Sequence, residues 1–211
     1  TGIDPNESGF HNYQDISNKL AAEKKNLKIL NTDIDNFKKE RKYDLIFSFN
    51  VFEHVLEQKN YLKKTYDLLE KNGKNIIFCP NYDFPYEPHF VLPIIFNKEI
   101  KNKIFKDKIL SHEKKTQEIG LWDGLNINGK KSIEKIMKKN NYSYTFDYSI
   151  QKRIFERLSN DQSKYFKKRQ GIAGRLAIIG KLFYLDKIIF NILRVPFPYL
   201  KLIINKNEIN D

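Results

Sequence analysis

Short apolar runs alternate with longer stretches of helical spacing over the first 82 residues, and this alternation predicts βα units built around a parallel sheet. Gly2 and Ile3 close one strand. The stretch "NYQDISNKLAAEKK" (12–25) has the pattern of a polar-biased helix, and "LKILNTDI" (27–34) that of the next strand. A third strand is predicted over "YDLIFSFN" (43–50). In "QKNYLKKTYDLLEKNG" (58–73), Tyr61, Leu62, Tyr66, Leu68 and Leu69 recur at helical intervals, with Gly73 as the C-terminal stop. "NIIFCPNY" (75–82) makes a fourth strand, ended by Pro80.

From 83 to 128 the periodicity is lost. Pro85, Pro88, Pro93, Gly120 and Gly124 punctuate aromatic segments such as "YEPHF" and "GLWDGLN", which predicts an ordered, irregular lid. Regularity returns with a helix over about 130–139 and a Tyr-rich strand from Tyr142 to about Tyr148. Residues 169–193 give a long helical pattern in which Leu176, Ile179, Phe183, Ile188 and Ile192 form an apolar face interrupted by Arg175, Lys181 and Lys187. "YLKLIINK" (199–206) reads as a candidate last strand. The expected organisation is therefore an α/β domain over 1–150, with 83–128 as its lid, and a helical extension over 151–211 that carries the candidate strand.

In nucleotide-binding α/β sheets, ligands sit beyond the carboxyl ends of the strands. Four such ends here carry informative residues: Asp4, Asp33, Asn50 and Asn81. Asp4, in "GIDP", can accept hydrogen bonds from both hydroxyls of a ribose; charge-assisted bonds of this kind contribute roughly 1.5–3 kcal/mol each. It can equally cap a turn beside Pro5. Asp33 can accept from the exocyclic amine of adenine while Ile34 supplies an apolar wall and a backbone amide. Acids are also common at such turns simply as helix caps.

Taken in order, "GIDP", "NTDI", "YDLIFSFNVFEHV" and "LLEKNGKNIIFCPNY" resemble the class I S-adenosylmethionine-dependent methyltransferases, small-molecule members above all. The resemblance covers roughly residues 1–82 and, more loosely, 130–148. It implies a Rossmann-like, mostly parallel sheet with helices on both faces, and S-adenosylmethionine as cofactor. Asp4, with Pro5 beside it, would hold the ribose, Asp33 and Ile34 the adenine, and Phe49 and Asn50 would line the pocket below the methionine portion. The family's first strand and glycine-rich loop precede the segment that matches Thr1. The chain opens without an initiator methionine on what reads as a strand end, so it is expected to be N-terminally incomplete.

Methyl transfer from a sulfonium is an in-line displacement that needs a positioned nucleophile and often a base. His54 is suited to take a proton from a hydroxyl or amine, with Glu53 beside it to steady it; the alternatives are a helix-capping His54 and a solvated Glu53. Both are expected to enter the helix that follows the third strand. Some members of the family hold a divalent metal with an additional Glu three residues before such a Glu-His pair. Asn50 stands at that place, and no metal is expected. Tyr82, His89 and Trp122, in or beside the lid, are candidates for contacting the substrate, the other reading being an aromatic subcore. His112 and Glu113, in a highly charged stretch, are expected to be solvated.

Composition changes this picture little. An apolar fraction of 40% with 14% aromatics supports a folded core, and the 30% charged residues describe its surface. The single cysteine, Cys79, permits no internal disulfide and fits a cytoplasmic setting. No apolar run is long enough to span a bilayer, and no leader is apparent. Charge adds one point. Residues 1–90 carry 13 Lys+Arg against 14 Asp+Glu, and residues 91–211 carry 25 against 12, so the net +12 lies in the second half. This is either a solvated basic surface or attraction to an acidic partner, and peripheral contact with an anionic membrane through the 169–193 helix is one form of it. Nucleic acid is not expected, for no recognised binding motif accompanies the basic residues. Two other functions stay open at this point: a nicotinamide-dependent oxidoreductase of similar fold, since an acid like Asp4 serves NAD ribose equally well, and a non-catalytic basic module that docks on membranes.

Overall fold

A computed structural model of the chain describes residues 1–5, 11–38, 41–93, 98–183, 188 and 198–207. The first βα units run β1 (Gly2–Ile3), α1 (His11–Glu23) and β2 (Ile29–Leu30). β1 and β2 pair in parallel, and Asp4 N–H continues the ladder to the carbonyl of Leu30 at 3.0 Å. Next come β3 (Tyr43–Phe49), a single 3-10 turn (Phe52–His54), α2 (Gln58–Asp67) and β4 (Leu69–Pro80). β5 (Tyr86–Glu87) and β6 (Leu92–Pro93) form a small antiparallel hairpin, followed by α3 (Lys98–Thr116). α4 (Lys130–Lys139), β7 (Ser143–Phe146), α5 (Ser149–Asn160), α6 (Lys164–Leu182) and β8 (Tyr199–Asn205) complete the order.

The main sheet has the order β3-β4-β8-β7, with β3 parallel to β4 and the other two pairs antiparallel. β8 thus lies between β4 and β7, inside the sheet that the earlier residues begin. Its burial alternates strictly: Leu200, Leu202 and Ile204 are buried. With Ile77 and Cys79 of β4 they pack against Tyr61 and Leu62 of α2 and Ile133 and Met137 of α4. Each such side chain contributes about 1.5–3 kcal/mol on leaving water. Inside this layer, Asn75 Nδ2 of β4 donates to Thr65 Oγ1 of α2 at 2.9 Å, so one polar pair fixes the register of helix on sheet.

Three expectations are corrected. The helix predicted to reach Gly73 ends at Asp67, and β4 begins at Leu69, well before Asn75. The register of β3 on β4 shifts between Tyr43 and Leu45, and Gly73 lies in that irregularity; a Cβ there would stand 2.9 Å from the Glu70 carbonyl oxygen and 3.0 Å from that of Tyr43. Gly73 is a close-approach residue in a strand rather than a helix stop. The irregular lid expected over 83–128 contains the 19-residue helix α3. Its apolar residues do not keep to one face: Ile109 is buried, whereas Ile104 and Leu110 are exposed, so no helical stripe shows in the sequence. The helical pattern over 169–193 falls partly on α6, where Ile179 is exposed, as is Phe183 just beyond it; residues 184–187 and 189–193 lie outside the described residues. α6 packs instead through Ala177 against Phe155 of α5, a helix the sequence pattern does not predict. Among the described residues no helix is long and apolar enough to cross a membrane.

Candidate functional site

Two parallel pairs set the frame. In each, both strands point the same way, so Asp4 and Asp33 emerge from the carboxyl ends of β1 and β2, and Asn50 and Asn81 from those of β3 and β4. Ile34 and its neighbours link the pairs. Ile34 packs against the core under the main sheet, while Asp35 accepts from Asn60 Nδ2 at 2.6 Å and from Lys64 Nζ at 2.9 Å, both on α2.

Asp33 already has a local role. Its carboxylate accepts from the backbone N–H of Asn36 at 2.6 Å and from Asn36 Nδ2 at 2.8 Å, and those bonds hold it below the usual carboxylate range. Each oxygen keeps a lone pair, so an adenine amine could still be accepted. Pro5 is exposed beside Asp4. Phe49 is exposed and stacks on Phe78 of β4 with ring centroids 4.4 Å apart, and Phe78 in turn stacks on Tyr199 of β8 at 5.1 Å. Asn50 adopts a left-handed backbone, φ 51°, which ends β3; its N–H donates to the carbonyl of Phe78 at 2.9 Å, and its buried Oδ1 has no hydrogen-bond partner among the described residues. Asn81 and Asp83 serve α4 instead: Asn81 Oδ1 accepts from Lys130 N–H at 3.0 Å, and Asp83 Oδ2 from Lys131 N–H at 2.9 Å.

Beyond Asn50, Glu53 and His54 sit on the 3-10 turn, and α2 starts only at Gln58, which corrects the expectation that they enter the helix. Phe52 anchors the turn in the core. Side chains and backbone from the loop before α4 fasten it: Asn126 N–H donates to the Glu53 carbonyl at 2.7 Å, Asn126 Nδ2 to the Val55 carbonyl, and Asn128 Nδ2 to Gln58 Oε1 at 2.9 Å, while Gln58 Nε2 donates to the Phe52 carbonyl at 2.9 Å.

The side chain of Glu53 is 1% exposed, and neither of its oxygens receives a hydrogen bond from the described residues. Burial pushes its carboxyl up to about 7, against the opposing pull of its own backbone and of His89. His89, 36 residues away in sequence, brings its Nε2 to 3.7 Å from Glu53 Oε1, and its ring lies edge-on to His54 with centroids 5.5 Å apart. Burial, reinforced by the charge of His89, lowers His54 to about 4. At neutral pH His54 is therefore an uncharged imidazole and a weak base. For His89, burial acts downward, but the hydrogen bond and charge of Glu87 together with Glu53 outweigh it and hold the imidazole above its ordinary value.

Glu87 is the residue that sequence reasoning misses. Fully buried, it accepts from His89 N–H at 3.1 Å, His89 Nδ1 at 2.6 Å, Phe90 N–H at 2.6 Å and Tyr82 Oη at 3.3 Å. The short contact at Nδ1 puts that ring proton on the Glu87 side and leaves Nε2 facing Glu53. Tyr82 is buried, and burial pushes its phenol upward. Trp122 belongs to a separate aromatic subcore, edge-on to Phe90 at 5.2 Å and packed with Leu92, Ile109 and Leu125. The expectation of a solvated His112 and Glu113 is also corrected. Glu113 is buried and accepts the N–H of Trp122 at 2.9 Å, and the His112 ring leans on Phe90 at 4.8 Å. Of the predicted site residues, Glu53, His54 and His89 come together.

Residues 1–74 match the family model described as "Methyltransferase domain". The similarity to a methyltransferase domain is thus carried by the first part of the chain. Over 129 residues the chain is 32% identical to two uncharacterized proteins of Mycobacterium tuberculosis, MT1557 of strain CDC 1551 / Oshkosh and Rv1509 of strain ATCC 25618 / H37Rv. The alignment takes in 60% of this chain and 43% of either relative, so the chain spans less than half the length of the curated relatives it matches. Among solved structures, the plantazolicin methyltransferase BpumL in complex with a triazolic desmethylPZN analog and SAH is 19% identical, with a TM-score of 0.50, over 98% of this chain and 67% of that one. That likeness shows the fold alone, a Rossmann-like α/β architecture.

Proposed function

We propose that the protein transfers a methyl group from S-adenosylmethionine to a small-molecule or lipid-like acceptor. The observation that carries this reading is the shared polarity of the strand ends, with Asp4 and Asp33 leaving one parallel pair and Asn50 another, within residues that match a methyltransferase domain. Asp4 offers a carboxylate for ribose hydroxyls, Asp33 retains acceptor capacity for an adenine amine, and Asn50 adds a buried Oδ1 with no hydrogen-bond partner among the described residues. Support also comes from the plantazolicin methyltransferase BpumL, which holds SAH and a triazolic desmethylPZN analog on a similar fold.

Bound S-adenosylmethionine would supply an electrophilic methyl on its sulfonium. The chain's own part is to hold and to accept. Glu53 and His54 stand just beyond Asn50 in the chain, and His89 of the β5–β6 hairpin brings a ring nitrogen within 4.8 Å of their ligand atoms. Tyr82 and Glu87 position His89 from behind.

Calorimetric titration of the full-length natural protein with S-adenosylmethionine and, separately, with NAD tests the reading. Binding of the sulfonium cofactor with no response to NAD is expected. Tighter binding of NAD would reject methyl transfer in favour of hydride chemistry.

A further inference from the structure

We infer that Glu53, His54 and His89 form a divalent-cation site of one carboxylate and two imidazoles. One ligand atom from each lies within 4.8 Å of the others, the spacing a single ion can bridge after small side-chain adjustments. The second observation is Glu53 itself. Among the described residues no hydrogen bond reaches this nearly inaccessible carboxylate, which is costly to keep, and a bound cation would supply the missing contacts.

The surroundings follow the same logic. Imidazoles that bind metals usually donate their second ring N–H to a carboxylate, which fixes the ring and leaves one nitrogen free to ligate. Glu87 does this for His89: Oε1 lies 2.6 Å from Nδ1, so Nε2 is the nitrogen turned toward Glu53. The expectation of no metal rests on Asn50 standing where a Glu would complete a local set. His89 supplies a third ligand from the β5–β6 hairpin, a partner that spacing along the chain could not reveal.

Two imidazoles with one carboxylate favour borderline ions such as zinc, cobalt or iron(II) over magnesium and calcium, which prefer all-oxygen shells. Three protein ligands leave room for a further one. The inference deepens the methyl-transfer reading and rests on it for the ion's role, which is to orient an acceptor oxygen or nitrogen there. Ion binding itself does not depend on that reading.

The test uses the full-length natural protein, stripped with chelator and titrated with Co2+ at neutral pH, with the visible absorption of the bound ion as readout and equilibrium dialysis for stoichiometry. One ion per chain is expected, displaced by Zn2+, with Glu53→Gln or His89→Ala abolishing the signal. Glu87→Gln, which disturbs only the outer contact, should weaken affinity roughly 10–100-fold. Glu53→Gln removes a buried charge without changing shape, so it is expected to fold. Failure of the wild-type protein to bind, or binding that Glu53→Gln and His89→Ala leave intact, would overturn the site. Titrating S-adenosylmethionine into the same samples separates the two ideas: cofactor binding without metal defeats the ion site alone, and metal binding without the cofactor defeats the methyl-transfer reading alone.

Discussion

Glu87 shows how much one side chain can organise. Its two oxygens take four contacts from Tyr82, His89 and Phe90, with backbone donors among them. Glu87→Ala leaves the buried N–H of Phe90 and the half-buried N–H of His89 unpaired, at about 1–3 kcal/mol for each group fully buried, so urea unfolding should show a loss of roughly 2–4 kcal/mol. Tyr82→Phe removes only the 3.3 Å bond, and should cost less than about 1 kcal/mol in the same assay. Nothing in "YEPHF" marks the Glu as buried. An acid beside a proline reads as solvated, and only the turn of the β5–β6 hairpin brings the N–H groups to it. The same holds for Glu113, whose donor is Trp122 nine residues on. Asp4, Asp33, Asn50 and the Glu53-His54 pair are legible because each follows an apolar strand run, where polar residues fall at the sheet's edge whatever the tertiary detail.

At the scale of elements, strands are easier to read than their limits. β8 and β7 lie close to where alternation puts them, while the pattern misplaces the α2–β4 boundary by several residues because Leu68 and Leu69 fit a helical and an extended pattern equally. Gly73 is the residue that decides it. Gly73→Ala should destabilise by about 1–3 kcal/mol in urea unfolding, since its methyl would meet two backbone oxygens that cannot yield without opening the β3–β4 ladder. A second prediction concerns the outer strands. Lys201 Nζ of β8 bonds Asp147 Oδ2, just beyond β7, at 2.7 Å, and this bond, with those from Ser149, lowers the Asp147 carboxyl to about 2. Because the folded carboxyl is more acidic than the unfolded one, the unfolded chain binds more protons between those two values. The contribution is complete above the ordinary aspartate range and is lost as pH falls through about 2. Partial solvent exposure keeps it to about 1 kcal/mol or less. Asp147→Asn should therefore be slightly less stable than wild type at pH 6, and the difference should vanish in acid.

Across the whole molecule, the sheet is unequally covered. Ile77, Cys79 and the buried residues of β8 face α2 and α4, whereas Leu45, Phe47 and Phe49, alternate residues on one face of β3, are all exposed, Phe47 by 74%. Among the described residues β3 pairs only with β4, and β1 only with β2. The parallel order of the first units is legible because βα periodicity is local, but the split into two sheets is not, since strand pairing depends on neighbours distant in sequence. The exposed ring of Phe49 continues through Phe78 to Tyr199 as an aromatic row across three strands. This row borders the end of β3 at which Asn50 and the Glu53–His54–His89 cluster stand, and there the cofactor and acceptor should meet. The decisive measurement is a crystal structure of the full-length natural protein with SAH. Ribose hydroxyls should lie within hydrogen-bonding distance of the Asp4 carboxylate, with the sulfur directed toward Glu53, His54 and His89, and a matching Asp4→Ala variant should bind roughly 10–100-fold more weakly. SAH bound away from these strand ends, or an Asp4→Ala variant of unchanged affinity, would contradict this placement of the cofactor.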